Sequence, residues 1–221
     1  MLDCSAASVH RMAQEGCDWV SLDAIWISHF HLDHCGGLAP LLFGTKHAPQ
    51  TQGRTKPMYL FGPAGLKKLI EVFDSAYDYG LFKQPFPLEI VEVESGRDFE
   101  VAGMKASAFS SPHTDESHSI RLGSNGGQSF VYTSDTGYSP DLGEFARSVD
   151  LLLIECSFIH QTPVKIHLQA SDIREIAKSA EPKRIVLTHL YPEWDGREKE
   201  ALKLFEGLHV EIAFDGMRID L

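Results

Sequence analysis

The chain has 221 residues, of which 43% are hydrophobic and 23% are charged, proportions that are ordinary for a globular protein. No stretch approaches the roughly 18 consecutive apolar residues of a membrane span, and the start lacks the basic-then-apolar pattern of a secretory signal. The formal net charge of −11 disfavours nucleic acid as a partner, because binding many phosphates requires a basic face.

The cysteines indicate the cellular compartment of the protein, and the absence of linkers indicates its number of domains. The four cysteines have no CxxC spacing, which indicates reduced thiols and a cytoplasmic protein rather than a disulfide framework. They are Cys4, Cys17, Cys35 and Cys156. No repeat or long Pro/Gly/Ser linker interrupts the chain, so residues 1–221 are predicted to form a single domain.

The first predicted elements are short buried strands and amphipathic helices. Residues 23–28 form an apolar run that ends at a group of histidines, and a helix is predicted to begin near Leu38. Residues 58–61 form a second short strand. In the helix that follows, apolar residues recur at i, i+3, i+4 and i+7, the spacing of one buried face. These are Leu66, Leu69, Ile70 and Phe73.

The middle of the chain, over about residues 88–133, is predicted to be a run of strands. Within it, Asn125-Gly126-Gly127 predicts a hairpin between 119–122 and 129–133. Residues 150–155 have the continuous apolar character of a strand covered on both faces. A helix over 170–180, with Asp172 and Glu175 at capping-box spacing, precedes a strand over 184–188. A last helix (about 198–205) and a terminal strand pair complete an α/β layered domain.

The strongest chemical signal is the segment Ser28-His-Phe-His-Leu-Asp-His34. Imidazole nitrogen and carboxylate oxygen are ligands that suit Zn²⁺, Mn²⁺ or Fe²⁺. On a tight loop, His29 and His31 can point one way while Asp33 and His34 point another, so one loop could serve two adjacent metals. Gly36-Gly37 lets the backbone pass close beneath such a site.

This segment resembles the His-x-His-x-Asp-His signature of the metallo-β-lactamase superfamily. The resemblance implies a four-layer αββα sandwich and two divalent metal ions per chain, with zinc expected and manganese or iron as alternatives. Later ligands occur in family order at His113, Asp135 and His189. The resemblance assigns the first metal to His29, His31 and His113, and the second to Asp33, His34 and His189. Asp135 would bridge the two metals.

Two such metals would lower the pKa of a bridging water and stabilise the charge that develops on a substrate oxygen. Asp33 is expected to act also as a catalytic residue that orients or deprotonates this water. Superfamily members that run redox chemistry on two irons usually carry glutamate at the position of His31. The histidine therefore favours hydrolysis.

A second stretch, Lys165-Ile-His-Leu-Gln-Ala170, resembles the ribonuclease Z branch of the superfamily. There a histidine before a helix contacts the scissile phosphate or protonates the leaving group. By this resemblance His167 is a catalytic residue on the phosphate side, and Glu155 orients it. The resemblance therefore favours phosphodiester chemistry.

The remaining histidines lack this support. His10, His47, His160 and His209 are predicted to lie on the surface. His118 either approaches the pocket or simply occupies its strand.

The sequence departs from the tRNA-processing members between His113 and Asp135. Those members insert a long basic arm there, whereas only 21 residues separate the two positions here, with one arginine and no lysine. Together with the acidic charge, this favours small or cyclic phosphodiesters over tRNA. Superfamily members often form dimers, and the segment 80–87 is either a contact of a homodimer or a buried loop.

A second departure lies at the start of the chain. The family opens with a Gly-rich strand hairpin before the stretch that resembles Leu2-Asp3-Cys4. The natural protein is therefore expected to extend further upstream, since that hairpin is missing here.

The leading interpretation is a two-metal phosphodiesterase. A second interpretation is a hydrolase of another ester-like bond, such as a lactone, thioester or sulfate ester, because this metal core serves many chemistries. A tRNA 3′-processing ribonuclease Z and a non-catalytic metal-binding sensor are less favoured by the sequence.

Overall fold

The computed structural model describes all 221 residues, Met1–Leu221. The chain divides into two compact units, Met1–Glu94 and Ser95–Leu221, here called the N-terminal and C-terminal units. Each contains one sheet and one hydrophobic core. The single domain expected over residues 1–221 stays a prediction. None of the helices has both the length and the apolar character that a membrane span requires.

The N-terminal unit alternates three strands with helices, as the short apolar runs predict. Its strands are β1 (Ala24–Trp26), β2 (Met58–Gly62) and β3 (Leu88–Glu92). Its helices are α1 (Ser8–Gln14), α2 (Leu32–Cys35), α3 (Leu38–His47) and α4 (Leu66–Ser75). The strands are parallel in the order β1-β2-β3, and Leu2 adds a parallel bridge to Trp26.

The core of the N-terminal unit lies between this sheet and the inward faces of α3 and α4. Ile25 and Leu60 from the sheet, Leu38 and Leu42 from α3, and Ile70 from α4 are completely buried. The i, i+4 spacing of Leu66 and Ile70 gives α4 the buried face predicted from the sequence. All residues of β1 are buried, as expected for a parallel strand covered on both faces.

The C-terminal unit contains seven strands and three helices. Its strands are β4 (Asp98–Val101), β5 (Met104–Ser110), β6 (His118–Gly123), β7 (Ser129–Tyr132), β8 (Leu151–Glu155), β9 (Ile185–Thr188) and β10 (Val210–Ile212). Its helices are α5 (Pro140–Phe145), α6 (Ala170–Ala180) and α7 (Glu198–Ala201), the last continuing as a 3₁₀ turn over Leu202–Phe205. The hairpin predicted around residues 125–127 is confirmed, because β6 and β7 pair antiparallel across it.

Strand direction brings several loops to one edge of this sheet. The order is β10-β9-β8-β7-β6-β5-β4, with β7 to β10 parallel and β4 to β7 antiparallel. Because β5 lies two antiparallel steps from β7, its carboxyl end points to the same edge as those of β7, β8 and β9. The segments after these four strands therefore emerge together, which is where the sequence places its later ligand candidates.

The core of the C-terminal unit packs α5 and α6 against the parallel half of the sheet. Leu142 from α5, Ile173 from α6, and Leu152 and Ile154 from β8 are completely buried. Loss of any of these large side chains would cost roughly 2–5 kcal/mol of stability.

Two details of the predicted elements are wrong. The capping box of α6 begins one turn earlier than expected: Gln169 is the N-cap residue, and Asp172, at N3, accepts from the Gln169 backbone. Asp172 is therefore the partner in the box rather than its first residue. The predicted terminal strand pair is a single strand, because only β10 forms and it pairs parallel with β9.

Candidate metal centre

The loop after β1 carries a dense group of imidazoles in the N-terminal unit. The ring centroids of His29 and His31 lie 4.7 Å apart, and those of His29 and His34 lie 4.2 Å apart. Asp33 Oδ2 lies 3.5 Å from His34 Nε2. His29 and His34 are buried, whereas His31 and Asp33 are exposed. The four residues of the motif thus lie side by side, two of them fixed in the core and two at the surface.

Asp3 supports this loop from the buried start of the chain. Its Oδ2 lies 2.7 Å from His34 Nδ1, and its two oxygens also accept hydrogen bonds from the backbone and hydroxyl of Ser28 at 2.8 and 2.9 Å. A carboxylate only accepts, so His34 Nδ1 must donate. The lone pair of His34 is therefore on Nε2, the form in which imidazole binds a metal.

The same reasoning fixes His29. Ser28 Oγ gives its single proton to Asp3, so it accepts from His29 Nδ1 at 3.0 Å. The lone pair of His29 is then also on Nε2. One buried carboxylate thus orients two imidazoles, one directly and one through a serine.

Close backbone packing holds this support in place. The Gly37 nitrogen donates to the Cys4 carbonyl at 2.7 Å, and a Cβ on Gly37 would collide with the Ser5 carbonyl oxygen. The glycine predicted to allow close approach is therefore required by the segment that carries Asp3. Burial, followed by the charge of Asp3, raises the pKa of the Cys4 thiol to about 12, so this sulfur stays protonated near neutral pH.

The C-terminal unit gathers three further ligand candidates at the edge where its strands end. Asp135 Oδ2 lies 3.7 Å from His113 Nε2 and 3.3 Å from His189 Nε2. Asp135 is 2% exposed. The histidines follow β5 and β9, and the aspartate follows β7. Parallel strand ends therefore bring together residues that lie up to 76 positions apart, from 113 to 189.

Both histidines in this group have their Nδ1 engaged by the protein. His113 Nδ1 donates to the Ile166 carbonyl at 2.9 Å. Ser157 Oγ donates to Glu155 at 2.7 Å and so accepts from His189 Nδ1 at 3.0 Å. In each ring the lone pair is on Nε2, beside Asp135. The residue types gathered in these loops, imidazole nitrogen and carboxylate oxygen, are ligands that suit a divalent metal, and each of the seven candidate residues belongs to a group of His and Asp side chains that could hold one.

Glu155 is the buried acceptor that links the loops of this edge. It is completely buried and accepts from the backbone of Thr136, Ser157 and Leu168 at 2.8, 3.2 and 3.2 Å. Its Oε1 also lies 2.9 Å from His167 Nδ1. A buried carboxylate requires such a set of donors, because an unpaired charge in the interior is strongly unfavourable.

His167 lies at the centre of the C-terminal group. Its ring stacks on His189 with centroids 5.3 Å apart and an interplanar angle of 15°, and its centroid lies 4.8 Å from that of His113. Its Nδ1 faces Glu155, so its Nε2 faces the other way. The contact expected between Glu155 and His167 is present, and the catalytic roles of both residues stay predictions.

Three residues at these loops adopt left-handed backbone conformations. Asp3, Ser134 and His189 have φ values of 52° each. Non-glycine residues in this region cost about 1–3 kcal/mol each and concentrate at functional sites. The strain falls on a supporting carboxylate, on the residue before Asp135, and on a candidate ligand.

The histidines outside the motifs divide as the sequence indicates. His10, His47, His160 and His209 are exposed, which confirms their placement at the surface. His118 lies buried on β6, and burial lowers its pKa below the usual value for histidine. Its Nδ1 has no hydrogen-bond partner.

Sequence reasoning missed four residues of these groups. Asp3, Ser28 and Ser157 orient imidazoles, and Tyr191 contacts His167 with its hydroxyl. The sequence gives only weak local signals for these residues. The two serines lie close to strand ends, and Asp3 is an acidic residue in an apolar segment.

The family follows from a match over most of the chain. Residues 2–190 match the model of the β-lactamase superfamily domain. The chain belongs to the metallo-β-lactamase superfamily. Within this superfamily it is ribonuclease Z-like, since it is 24% identical to a ribonuclease Z of Methanosarcina acetivorans over 277 aligned positions that cover all of this chain and 88% of that protein. Members of the superfamily typically bind divalent metals.

A protein of Mycobacterium leprae, ML1173, is 27% identical over 83% of this chain. The match spans 65% of the length of that relative, so the chain covers somewhat less than two thirds of it.

Solved structures confirm the predicted fold. The metallo-β-lactamase fold protein YhfI from Bacillus subtilis is 25% identical, with a TM-score of 0.76 over 98% of this chain and 84% of that one. A diphosphatase from the PhnP family is 22% identical, with a TM-score of 0.76 over all of this chain and 79% of that one.

Proposed function

We propose that this protein is a two-metal phosphodiesterase that acts on small or cyclic phosphodiesters. The observation that carries the proposal is the contact between Glu155 and His167 at 2.9 Å, with the His167 ring stacked on His189. A histidine held in this way beside a candidate metal ligand is suited to contact a phosphate or protonate a leaving oxygen.

The proposed ligands follow the superfamily motif. His29, His31 and His113 would hold the first metal, Asp33, His34 and His189 would hold the second, and Asp135 would contribute to both. The orientation of the imidazoles supports this assignment, because hydrogen bonds at Nδ1 set Nε2 as the ligand atom in His29, His34, His113 and His189. Zinc is the proposed metal, because this nitrogen-rich set suits it, and manganese or iron are the alternatives.

When bound, the two metals supply a water of lowered pKa and a positive charge for the phosphoryl oxygens. The protein residues orient the water and the leaving group and transfer the protons. Asp33, which is exposed, orients the attacking water and accepts its proton. His167 meets the substrate on the leaving-group side, and Glu155 keeps the His167 ring oriented.

Charge and loop length favour a small substrate. The net charge is −11, and the segment between His113 and Asp135 carries one arginine, Arg121, and no lysine. The Arg121 guanidinium donates to the backbone carbonyls of Phe145 and Arg147, so it is already engaged within its own unit. A polynucleotide would need a longer basic surface. The diphosphatase relative is consistent with a phosphate-containing substrate. Because of the ribonuclease Z relatives, tRNA is the second candidate substrate.

We also propose a cytoplasmic location. All four cysteines are free thiols, the state expected in a reducing compartment. A homodimer likewise stays a prediction.

The test is hydrolysis by protein loaded with Zn²⁺ or Mn²⁺. Bis(p-nitrophenyl) phosphate, a 2′,3′-cyclic nucleotide, p-nitrophenyl acetate and a precursor tRNA transcript are compared as substrates. We expect turnover of the first two, and a loss in Asp135→Asn that exceeds the roughly 10–100-fold typical of a residue that only supports a ligand.

The matched control is Asp220→Asn, which changes an exposed carboxylate near the end of the chain and is expected to behave as the wild type. Turnover of the acetate without the diesters would replace the proposal with an ester hydrolase. Cleavage confined to precursor tRNA would replace it with a processing nuclease. Two bound metals per chain with no turnover of any substrate would favour a sensor.

A further inference from the structure

Tyr191 lies beside His167 in the C-terminal unit, two residues after the candidate ligand His189. Its hydroxyl oxygen is 3.3 Å from His167 Nε2. Its ring centroid lies 5.5 Å from that of His167 and 5.6 Å from that of His189. The residue is 37% exposed, so its ring borders solvent while its hydroxyl points at the histidine.

The position of Tyr191 is set by its surroundings. Its backbone nitrogen donates to the Ser157 carbonyl at 3.2 Å, and its own carbonyl accepts from Trp194 at 2.9 Å. Trp194 is 1% exposed and belongs to the core. The ring also meets Phe158 edge-to-face, with centroids 5.1 Å apart, a favourable arrangement for two aromatic rings. Both the backbone and the ring of Tyr191 are therefore held in place by neighbouring residues.

The direction of the hydrogen bond between Tyr191 and His167 depends on whether the His167 ring is neutral or protonated. Glu155 accepts from His167 Nδ1, so in the neutral ring Nε2 carries the lone pair and the phenol O–H donates to it. In the protonated ring Nε2–H donates to the phenol oxygen instead. A hydroxyl is donor and acceptor, so the same contact persists when the proton arrives and when it leaves. Phenylalanine could serve neither state.

We infer that Tyr191 is a positioning residue that holds the Nε2 edge of His167 against the leaving group. This inference rests on the proposed phosphodiesterase function. In the step concerned, a water oxygen bonds to phosphorus and the bond between phosphorus and the leaving oxygen breaks. The single Nε2 proton of His167 is shared between the phenol oxygen, at the long distance of 3.3 Å, and the leaving oxygen in a three-centre hydrogen bond. The leaving oxygen takes this proton, and a proton from water restores it. Glu155 fixes one edge of the ring, and Tyr191 fixes the edge from which the proton departs.

The kinetic test compares Tyr191→Phe with the wild type on two aryl methyl phosphates. The substrates are methyl p-nitrophenyl phosphate and methyl phenyl phosphate. The p-nitrophenolate group leaves readily without being protonated, whereas the more basic phenolate group requires a proton to leave. We expect kcat to fall about tenfold or more for the phenyl ester and distinctly less for the p-nitrophenyl ester, with the roughly 10²–10⁴-fold contribution of general acid catalysis as the upper limit of either loss. A purely structural role would lower both equally.

Two variants sharpen this comparison. Because Tyr191 acts through His167, adding Tyr191→Phe to His167→Ala should cause no further loss, the signature of coupled residues. Tyr77→Phe is the matched control, since Tyr77 is 82% exposed and lies in the other unit. Equal losses for both esters in Tyr191→Phe, or additive losses in the double variant, would overturn the inference.

A spectroscopic test stands apart from turnover. In metal-free protein labelled with ¹⁵N-histidine, the ring signals of His167 are assigned through His167→Gln, and the Nε2 resonance is expected to move in Tyr191→Phe. An unmoved resonance means that the hydrogen bond does not form, and the inference then fails whatever the substrate. If instead the wild type hydrolyses no diester while this resonance does move, the proposed function fails and the contact between Tyr191 and His167 stands.

Discussion

The Asp3 carboxylate lies 2.7 Å from His34 Nδ1, although 31 positions separate the two residues in the chain. Asp3 is 8% exposed and His34 is 6% exposed, so the contact is shielded from water. The same carboxylate accepts from the backbone and hydroxyl of Ser28. Three buried donors therefore depend on one residue at the start of the chain.

We predict that Asp3→Asn weakens metal binding and destabilises the metal-free protein. An amide offers one acceptor oxygen and two new donors, so part of the donor set of His34 and Ser28 loses its partner. Metal affinity should fall about 10–100-fold, and stability by about 1–3 kcal/mol. Competition with a chromogenic chelator measures the first quantity, and denaturant unfolding measures the second. An affinity equal to that of Asp220→Asn would show that Asp3 does not support the metal ligands.

Gly137 is a point of close backbone approach beside Asp135. A Cβ at this position would collide with the Lys165 carbonyl oxygen and lie 2.9 Å from that of Pro112. The Gly137 nitrogen also donates to the Pro112 carbonyl at 2.8 Å. The glycine thus lets three loops of the C-terminal unit meet at their backbones.

We predict that Gly137→Ala lowers stability by about 1–3 kcal/mol, because the rigid backbone atoms around it must shift. The matched control is Gly123→Ala, at the end of β6, where a Cβ meets nothing within 4 Å and where a change within about 0.5 kcal/mol is expected. Chemical unfolding of both variants provides the comparison. Equal stability of the two would mean that the three loops have room for a methyl group.

The thiols are predicted to differ sharply in reactivity. Cys4, Cys35 and Cys156 are buried, and Cys17 is exposed. Burial raises the pKa of Cys4 to about 12 and raises that of Cys156 well above its usual value, and the thiol form reacts slowly. A disulfide reagent at pH 8 should therefore modify one thiol quickly in the folded protein and four in denaturant, and Cys17→Ser should abolish the fast phase. Rapid reaction of two or more thiols would contradict the buried environment.

The same burial makes stability fall in alkali. The Cys4 thiol keeps its proton up to a pKa of about 12 in the folded chain, whereas its ordinary pKa is 9.0. Above pH 9 the unfolded chain therefore binds fewer protons, so the free energy of unfolding decreases as pH rises from about 9 toward 12. Cys4→Ala should flatten this decrease between pH 9 and 10.5 in urea unfolding curves. Parallel curves for the variant and the wild type would locate the alkaline sensitivity elsewhere.

Patterns within a short window of sequence predicted much of this molecule. The run from Ser28 to His34 identified the superfamily, because four polar residues after a strand are a dense and specific signal. The hairpin at residues 125–127 and the strand over 150–155 followed from turn chemistry and apolar runs. Each of these features depends on neighbours in the chain.

What escaped prediction depends on partners that are distant in the chain. Asp3 contacts residues 25 and 31 positions away, and Tyr191 contacts one 24 positions away. Neither has a periodicity or motif of its own. The strand pair predicted at the end of the chain was wrong for a related reason. The single strand β10 pairs with β9 through its backbone, and backbone pairing does not require a particular side-chain sequence.

Hydrogen bonding at Nδ1 recurs in five imidazoles of the two units, and it decides where their protons reside before any metal arrives. The five are His29, His34, His113, His167 and His189. In water a neutral histidine exchanges its proton between the two ring nitrogens, so a ligand often has to change tautomer before it can coordinate. In the folded chain the hydrogen bonds at Nδ1 already fix the tautomer with the lone pair on Nε2. An arriving cation would meet rings whose protons point into the protein, and metal uptake would be limited by access and by loss of hydration rather than by proton rearrangement.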